Sequence, residues 1–245
     1  MFWKKPKIEV FVRHCNFSEV SGHKNRLDGF TRKKCHENLL STLDSRVNLT
    51  FLLDTFHPSD KPHFVLDQKT YPVIEIKEGT ETGSFLRLLD HVASLKLSPE
   101  TVIYFLEDDY LHREGWVDVL LEGFTIPEVS YVTLFDHRDK YILPLYKELT
   151  SKIFHTATCH WRTTPSTTNT YAMKYRILLD HLPIHRQFSL GRKISLDHEK
   201  FLELGRQGAL LISSLPGWST HVEQNLASPC FEWELFFQKK APVLR

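Results

Sequence analysis

Residues 102–106 read VIYFL, apolar or aromatic at every position, and the next three residues are Glu107, Asp108 and Asp109. A run with no polar alternation has no wet face, so as a strand it belongs inside a sheet covered on both sides. Neighbouring carboxylates repel one another and resist burial unless a cation or hydrogen bonds satisfy them. A buried strand that ends in three of them therefore aims them out of one end of a sheet, toward positive charge.

The rest of the first half supports a sheet of that kind. IEVFV (8–12), VNLTFLLD (47–54), PVIEI (72–76) and YVTLF (131–135) read as further strands, being β-branched and apolar. Between them, Phe30, Leu39, Leu40 and Leu43 mark a helix over 30–43. Phe85, Leu88, Leu89, Val92 and Leu95 mark a second, entered through GTETGS. Trp116, Val119, Leu120 and Phe124 mark a third. Alternation of this sort predicts an α/β fold, a mainly parallel sheet flanked by helices and joined by right-handed crossovers. Ligands of such sheets sit beyond the carboxyl ends of the strands. Asp54, the acidic triplet and Asp136 all fall at such ends.

Composition narrows the classes. The 245 residues fit a single domain, with about 7–140 as one half and about 141–245 as a smaller second part. Lys and Arg total 31 against 30 Asp and Glu, for a net charge of +1, which argues against broad binding to nucleic acid. Two short basic clusters, Lys4, Lys5 and Lys7 and then Arg32, Lys33 and Lys34, read first as solvated surface. A peripheral membrane contact is the alternative reading for them. No apolar run approaches the ~18 residues of a membrane span. Cys15, Cys35, Cys159 and Cys230 are scattered without a CxxC pair, so a reducing, cytoplasmic setting is expected.

With a strand period of two, Glu107 and Asp109 point to one side and Asp108 to the other. Two carboxylates so placed can hold a hard divalent ion and leave positions open for phosphate oxygens and water. The plainer alternative is that the triplet opens a solvated loop or caps the helix near Trp116. A strand ending in an acidic D-x-D-type signature, here Glu107, Asp108 and Asp109, resembles the nucleotide-sugar-dependent glycosyltransferases of the GT-A fold. The order of elements is similar from about Lys7 to Trp233, while the specific part is the triplet and its surroundings. Glu stands where the family usually begins with Asp.

The resemblance implies a GT-A-like, Rossmann-type sheet with an acceptor-side part at its C-terminal end. It implies a Mn2+ or Mg2+ cofactor, with Asp109 as a metal ligand and the late His221 of PGWSTHVE as a second. Glu107 and Asp108 would serve the donor, joined by Asp54 at the second strand end, Arg13 after the first strand, and Ser84. For Ser84 a helix N-cap is the competing role, and for Asp54 a turn role. HWRTTPSTTNTYAMK (160–174) reads as a loop or exposed strand pair, and there Trp161 and Arg162 are the acceptor-side candidates. SLDHEKFLELG (195–205) reads as a helix capped by Ser195. By resemblance Asp197, with Glu199 as second choice, is the base that deprotonates the acceptor, although acids in a first helical turn also stabilise the helix dipole.

The activity implied is transfer of a sugar from a nucleotide-sugar donor to a hydroxyl of a glycan or lipid-linked acceptor. It would serve cell-surface glycan or polysaccharide synthesis, with inversion at the anomeric carbon. Two alternatives are a sugar-nucleotide nucleotidyltransferase and a non-catalytic sugar- or nucleotide-binding module. Against the first, RHCNFSEVSGHKNR after the first strand holds one glycine, where those enzymes carry a glycine-rich phosphate loop.

Overall fold

The computed structural model describes residues 7–19, 21–22 and 24–238. Lys4 and Lys5 of the first basic cluster lie outside them. The first four strands are β1 (Ile8–Cys15), β2 (Val47–Asp54), β3 (Val73–Ile76) and β4 (Val102–Glu107). They pair in parallel in the order β3-β2-β1-β4. After β4 come β5 (Tyr110–His112), β6 (Val129–Thr133), β7 (Ile153–His155), β8 (His160–Thr163), β9 (Tyr171–Lys174), β10 (Leu210–Leu215) and β11 (Ser219–His221). Among the described residues the large sheet has nine strands, ordered β3-β2-β1-β4-β9-β6-β10-β8-β7. Only β8 and β9 run against the common direction, so the sheet is mixed and mostly parallel. The second half of the chain therefore completes the sheet begun by the first.

Helices cover both faces, as the two-sided hydrophobicity of VIYFL requires. Val102, Tyr104 and Leu106 face one cluster, with Leu39 of α1 (Arg32–Thr42) and Trp116, Val119 and Leu120 of α3 (Trp116–Gly123). Ile103 and Phe105 face the other. That cluster takes Phe85 and Leu88 from α2 (Glu81–Ser94), Leu178 from α5 (Tyr175–Gln187) and Phe201 from α6 (Asp197–Arg206). A short helix, α4 (Asp139–Ile142), follows β6. Each large side chain buried this way contributes about 1.5–3 kcal/mol, which fixes the strand from which the acids project.

The stretch 160–174 departs from its reading as loop or exposed strands. It supplies β8 and β9, and Tyr171, Ala172 and Met173 are fully buried between β4 and β6. Four of its hydroxyl residues, Thr164, Ser166, Thr167 and Thr170, are buried too, because the interior supplies partners: Thr170 Oγ1 accepts the Glu107 N–H, and Thr167 Oγ1 meets Thr133 Oγ1. Polarity in sequence reports exposure only where such partners are missing.

Trp161 is consequently a core residue, fully buried, with its indole N–H donated to Thr156 Oγ1 at 3.0 Å. Arg162 is buried on the other side of β8, paired to Asp136 at 2.7 Å and stacked under the Tyr141 ring. Their acceptor-side assignment is corrected: the residues are committed to packing and to an internal ion pair.

The basic cluster at 32–34 is only partly solvated surface, Lys33 being the exposed member. Arg32 turns inward to Asp108, and Lys34 donates to the carbonyls of Gly29 and Phe237. Among the described residues no helix is long and apolar enough to cross a membrane.

Candidate functional site

The carboxyl ends of β1, β2 and β4, the starts of α2 and α6, and the end of β11 enclose one cavity of about 290 Å³. Its wall holds Arg13, Asp54, Ser84, the three acids of the triplet, Asp197 and His221. Glu199 is exposed and outside the wall, as are Trp161 and Arg162.

The positive charge that the triplet demands comes from three arginines. Arg13, at the end of β1, donates to Glu107 Oε1 at 3.1 Å. Arg32, at the start of α1, donates through Nε to Asp108 Oδ1 at 3.0 Å. Arg26 Nη1 lies 2.9 Å from Asp109 Oδ2. Strand alternation stops at Glu107, because the chain turns at 108–109 before entering β5, so all three acids reach the cavity wall.

Their environments differ. Burial pushes Glu107 up to about 8, with Arg13 opposing and the charge on Asp109 adding to the rise. Burial also pushes Asp108 up to about 6 against the pull of Arg32. Burial acts on Asp109 in the same sense, but His221 and Arg26 outweigh it and hold this carboxyl well below the usual range. Asp109 is thus the acid kept ionised.

His221 reaches Asp109 through a small antiparallel sheet in which β11 pairs with β5, His221 opposite Tyr110. Its Nε2 is 3.0 Å from Asp109 Oδ2, and its Nδ1 faces Glu223 Oε2 at 3.6 Å. A carboxylate behind the far ring nitrogen is the usual way to orient a metal-binding imidazole. A carboxylate oxygen and an imidazole nitrogen about 3 Å apart also match two adjacent corners of an octahedral shell with bonds of about 2.1 Å. The pair therefore has the chemistry and spacing to supply two ligands to a divalent ion such as Mn2+ or Mg2+. Among the described residues no third His, Cys, Asp or Glu joins the pair.

Asp54 and Ser84 stand on the wall in structural roles. Asp54 Oδ1 accepts the N–H groups of Phe56 and Glu78, and Oδ2 accepts that of Gly79 at 2.8 Å. This ties the loop after β2 to the loop before α2. Gly79 has φ of +71°, and a Cβ there would strike the Phe56 ring, so the loop needs glycine. Three of about four acceptor positions on the Asp54 carboxylate are used. Asp54→Ala would strand those amides, and we expect a stability loss of about 3 kcal/mol in thermal unfolding. The helix cap expected at Ser84 is supplied by Thr80, which accepts the Gly83 N–H at 3.0 Å. Ser84 Oγ instead accepts Arg13 Nη1 at 3.0 Å.

Asp197 opens α6 without help from Ser195, whose hydroxyl pairs with Ser189 and whose N–H donates to Glu81 Oε2 at 2.8 Å. Asp197 Oδ1 accepts the fully buried Lys200 Nζ at 2.9 Å. Lys200 also donates to Asn169, and Asn169 donates to Glu81 Oε1, which pairs with Arg13 at 3.0 Å. A chain of buried polar groups thus joins Asp197 to Arg13. Burial raises the Asp197 carboxyl above its ordinary value, Lys200 acting against it and Glu81 with it.

Sequence reasoning missed Glu81, Lys200 and Arg26. Lys200 stands one helical turn after Asp197 and Glu81 opens a helix, so spacing could have raised both. Arg26 gives no local signal, since its place comes from a β-bridge to Glu223.

No protein-family model and no curated protein matches the chain. Among solved structures it is similar to a CMP:2-keto-3-deoxy-manno-octonic acid synthetase complexed with CTP, at 14% identity and a TM-score of 0.48. That alignment covers 86% of this chain and 92% of the other. It is also similar to the galactosyltransferase LgtC in complex with donor and acceptor sugar analogs, at 5% identity and a TM-score of 0.46, over 83% of this chain and 73% of that one. Likenesses at that level leave the chemistry to be argued from the residues of the cavity.

Proposed function

We propose that this chain is a metal-dependent glycosyltransferase that moves a sugar from a nucleotide-sugar donor to an acceptor hydroxyl. The observation that carries the reading is that one cavity brings together the Asp109 and His221 pair and Asp197, an acid with a raised affinity for protons. A diphosphate leaving group and a base are the two needs of such a transfer, and they have to be met a few ångströms apart.

Asp109 and His221 would hold Mn2+ or Mg2+, which would supply positive charge against the departing diphosphate. Glu107 accepts hydrogen bonds from donor hydroxyls while Arg13 holds its other side. Asp54 sets the loop that carries Gly79 along the wall. Asp197 takes the proton from the acceptor hydroxyl as that oxygen bonds to the anomeric carbon and the bond from that carbon to the diphosphate oxygen breaks. A single displacement of this kind inverts the anomeric centre. Lys200 and Asn169 are positioning residues that keep Asp197 in place.

A thermal-shift panel of nucleotide sugars and nucleoside diphosphates, with and without Mn2+, tests this directly. We expect at least one diphosphate to raise the melting temperature by several degrees only when Mn2+ is present, as ligand binding to the native state requires. Stabilisation by nucleoside triphosphates alone, with diphosphate released on adding a free sugar, would identify nucleotidyl transfer instead. Binding without slow donor hydrolysis would identify a binding module.

A further inference from the structure

Arg26 stands directly against two residues of the cavity wall. Its Nη1 is 2.9 Å from Asp109 Oδ2 and 3.3 Å from His221 Nε2, so one guanidinium nitrogen faces the two atoms best suited to a metal. The contact is built in. Leu27 N–H donates to the Val222 carbonyl at 3.0 Å, Gln224 N–H donates to the Asn25 carbonyl at 3.0 Å, and Arg26 itself bridges to Glu223. The backbone on both sides of the arginine is thereby stitched to the segment that carries His221. Lys24 pairs with Glu223 at 3.3 Å and the Arg26 guanidinium rests 5.0 Å from the Phe30 ring centre. The side chain is 13% exposed, and the two atoms that its Nη1 faces belong to residues of the cavity wall.

A guanidinium and a divalent ion cannot share one carboxylate oxygen and one imidazole nitrogen at such distances. Like charges that close repel by several kcal/mol even at an effective dielectric of about 20. Metal entry therefore requires Arg26 to swing away, and beyond the Asp109 and His221 pair that it touches lies the cavity that the diphosphate would fill. There a guanidinium finds its best partner, since its planar fork matches phosphate oxygens.

We propose, resting on the glycosyltransferase reading, that Arg26 is an internal counter-ion that orders binding. Without donor it closes the Asp109 and His221 pair against metal. When metal and nucleotide diphosphate enter together it is displaced onto the diphosphate. Metal and donor then bind cooperatively, because the diphosphate gives the expelled guanidinium a partner and each ligand raises the affinity for the other by the same factor.

The test is the binding of Mn2+ to Arg26→Gln, read from the electron paramagnetic resonance signal of free Mn2+, with and without UDP, GDP or CDP. Solution complexes of Mn2+ with each nucleotide are counted separately. Without nucleotide, the variant is expected to bind Mn2+ about tenfold more tightly than the wild type, since its competitor is gone. The factor by which nucleotide raises Mn2+ affinity should shrink by about the same amount. Arg26→Lys, a flexible point charge without the fork, should fall between the two. Unchanged or weaker Mn2+ binding by Arg26→Gln, with wild-type coupling to nucleotide, would overturn the inference and leave the glycosyltransferase reading standing. Failure of the wild type and both variants to bind Mn2+ under any of these conditions would overturn the metal-dependent reading itself, and the inference with it.

Discussion

Asp109→Asn is expected to abolish the Mn-dependent part of nucleoside diphosphate binding. The replacement keeps the size and one acceptor oxygen but removes the charge that His221 and Arg26 both address. Losing one of two protein ligands should weaken metal binding by more than about a hundredfold, beyond the 10–100-fold attached to outer partners. Transfer should fall at least as far. Breaking a buried ion pair also destabilises, by about 3–5 kcal/mol when one partner is left uncompensated. Here His221 and Arg26 retain Glu223 and the Phe30 ring as neighbours, so the loss should be at the low end. Calorimetric titration with nucleoside diphosphate, with Mn2+ and with a chelator, separates the two effects. Equal Mn dependence in wild type and variant would remove Asp109 from the metal site.

Asp197→Asn is expected to lower kcat by a hundredfold or more, in the range of about 10²–10⁴ for loss of a general base, with donor affinity nearly unchanged. Glu199→Gln is expected to be mild, because Glu199 is exposed and off the cavity wall. Lys200→Met supplies the pH test. The base works ionised, and the ammonium at 2.9 Å favours that form. Without it the Asp197 proton is held more tightly, so the acid limb of kcat/KM moves to higher pH. A limb that stays in place while activity falls would mean that Lys200 only supports the packing around Phe85, Tyr171 and Phe201.

Legibility in the sequence followed the range of the forces involved. β2 occupies 47–54 as expected from its apolar run, and β4 lies buried in the sheet because nothing else accommodates VIYFL. The acids were legible because a hydrophobic run that stops on carboxylates is a local conflict. Their neutralisation was not, since Arg13, Arg26 and Arg32 are ordinary basic residues until folding brings them to Glu107, Asp109 and Asp108. The 160–174 stretch misled because its hydroxyls look wet, although burial had arranged partners for them. Trp161 was placed on the acceptor side because its stretch read as a loop or exposed strand pair, and only the pairing of β8 with β10 and β7 puts it inside. The two candidate bases, two residues apart, could be separated only by the orientation of α6 in the fold.

Asp109 and His221 are 112 residues apart, and this has a consequence for a chain leaving the ribosome. The three arginines that answer the triplet precede it in sequence, so each acid emerges after its counter-charge. Arg13 and Arg32 can thus meet Glu107 and Asp108 while β9, which flanks β4, is still untranslated, whereas Arg26 is set in place only by its bridge to Glu223. His221 follows almost the whole sheet. A nascent chain paused in its second half therefore holds Asp109 without His221, and the pair can form only after the last strand of the large sheet has been made.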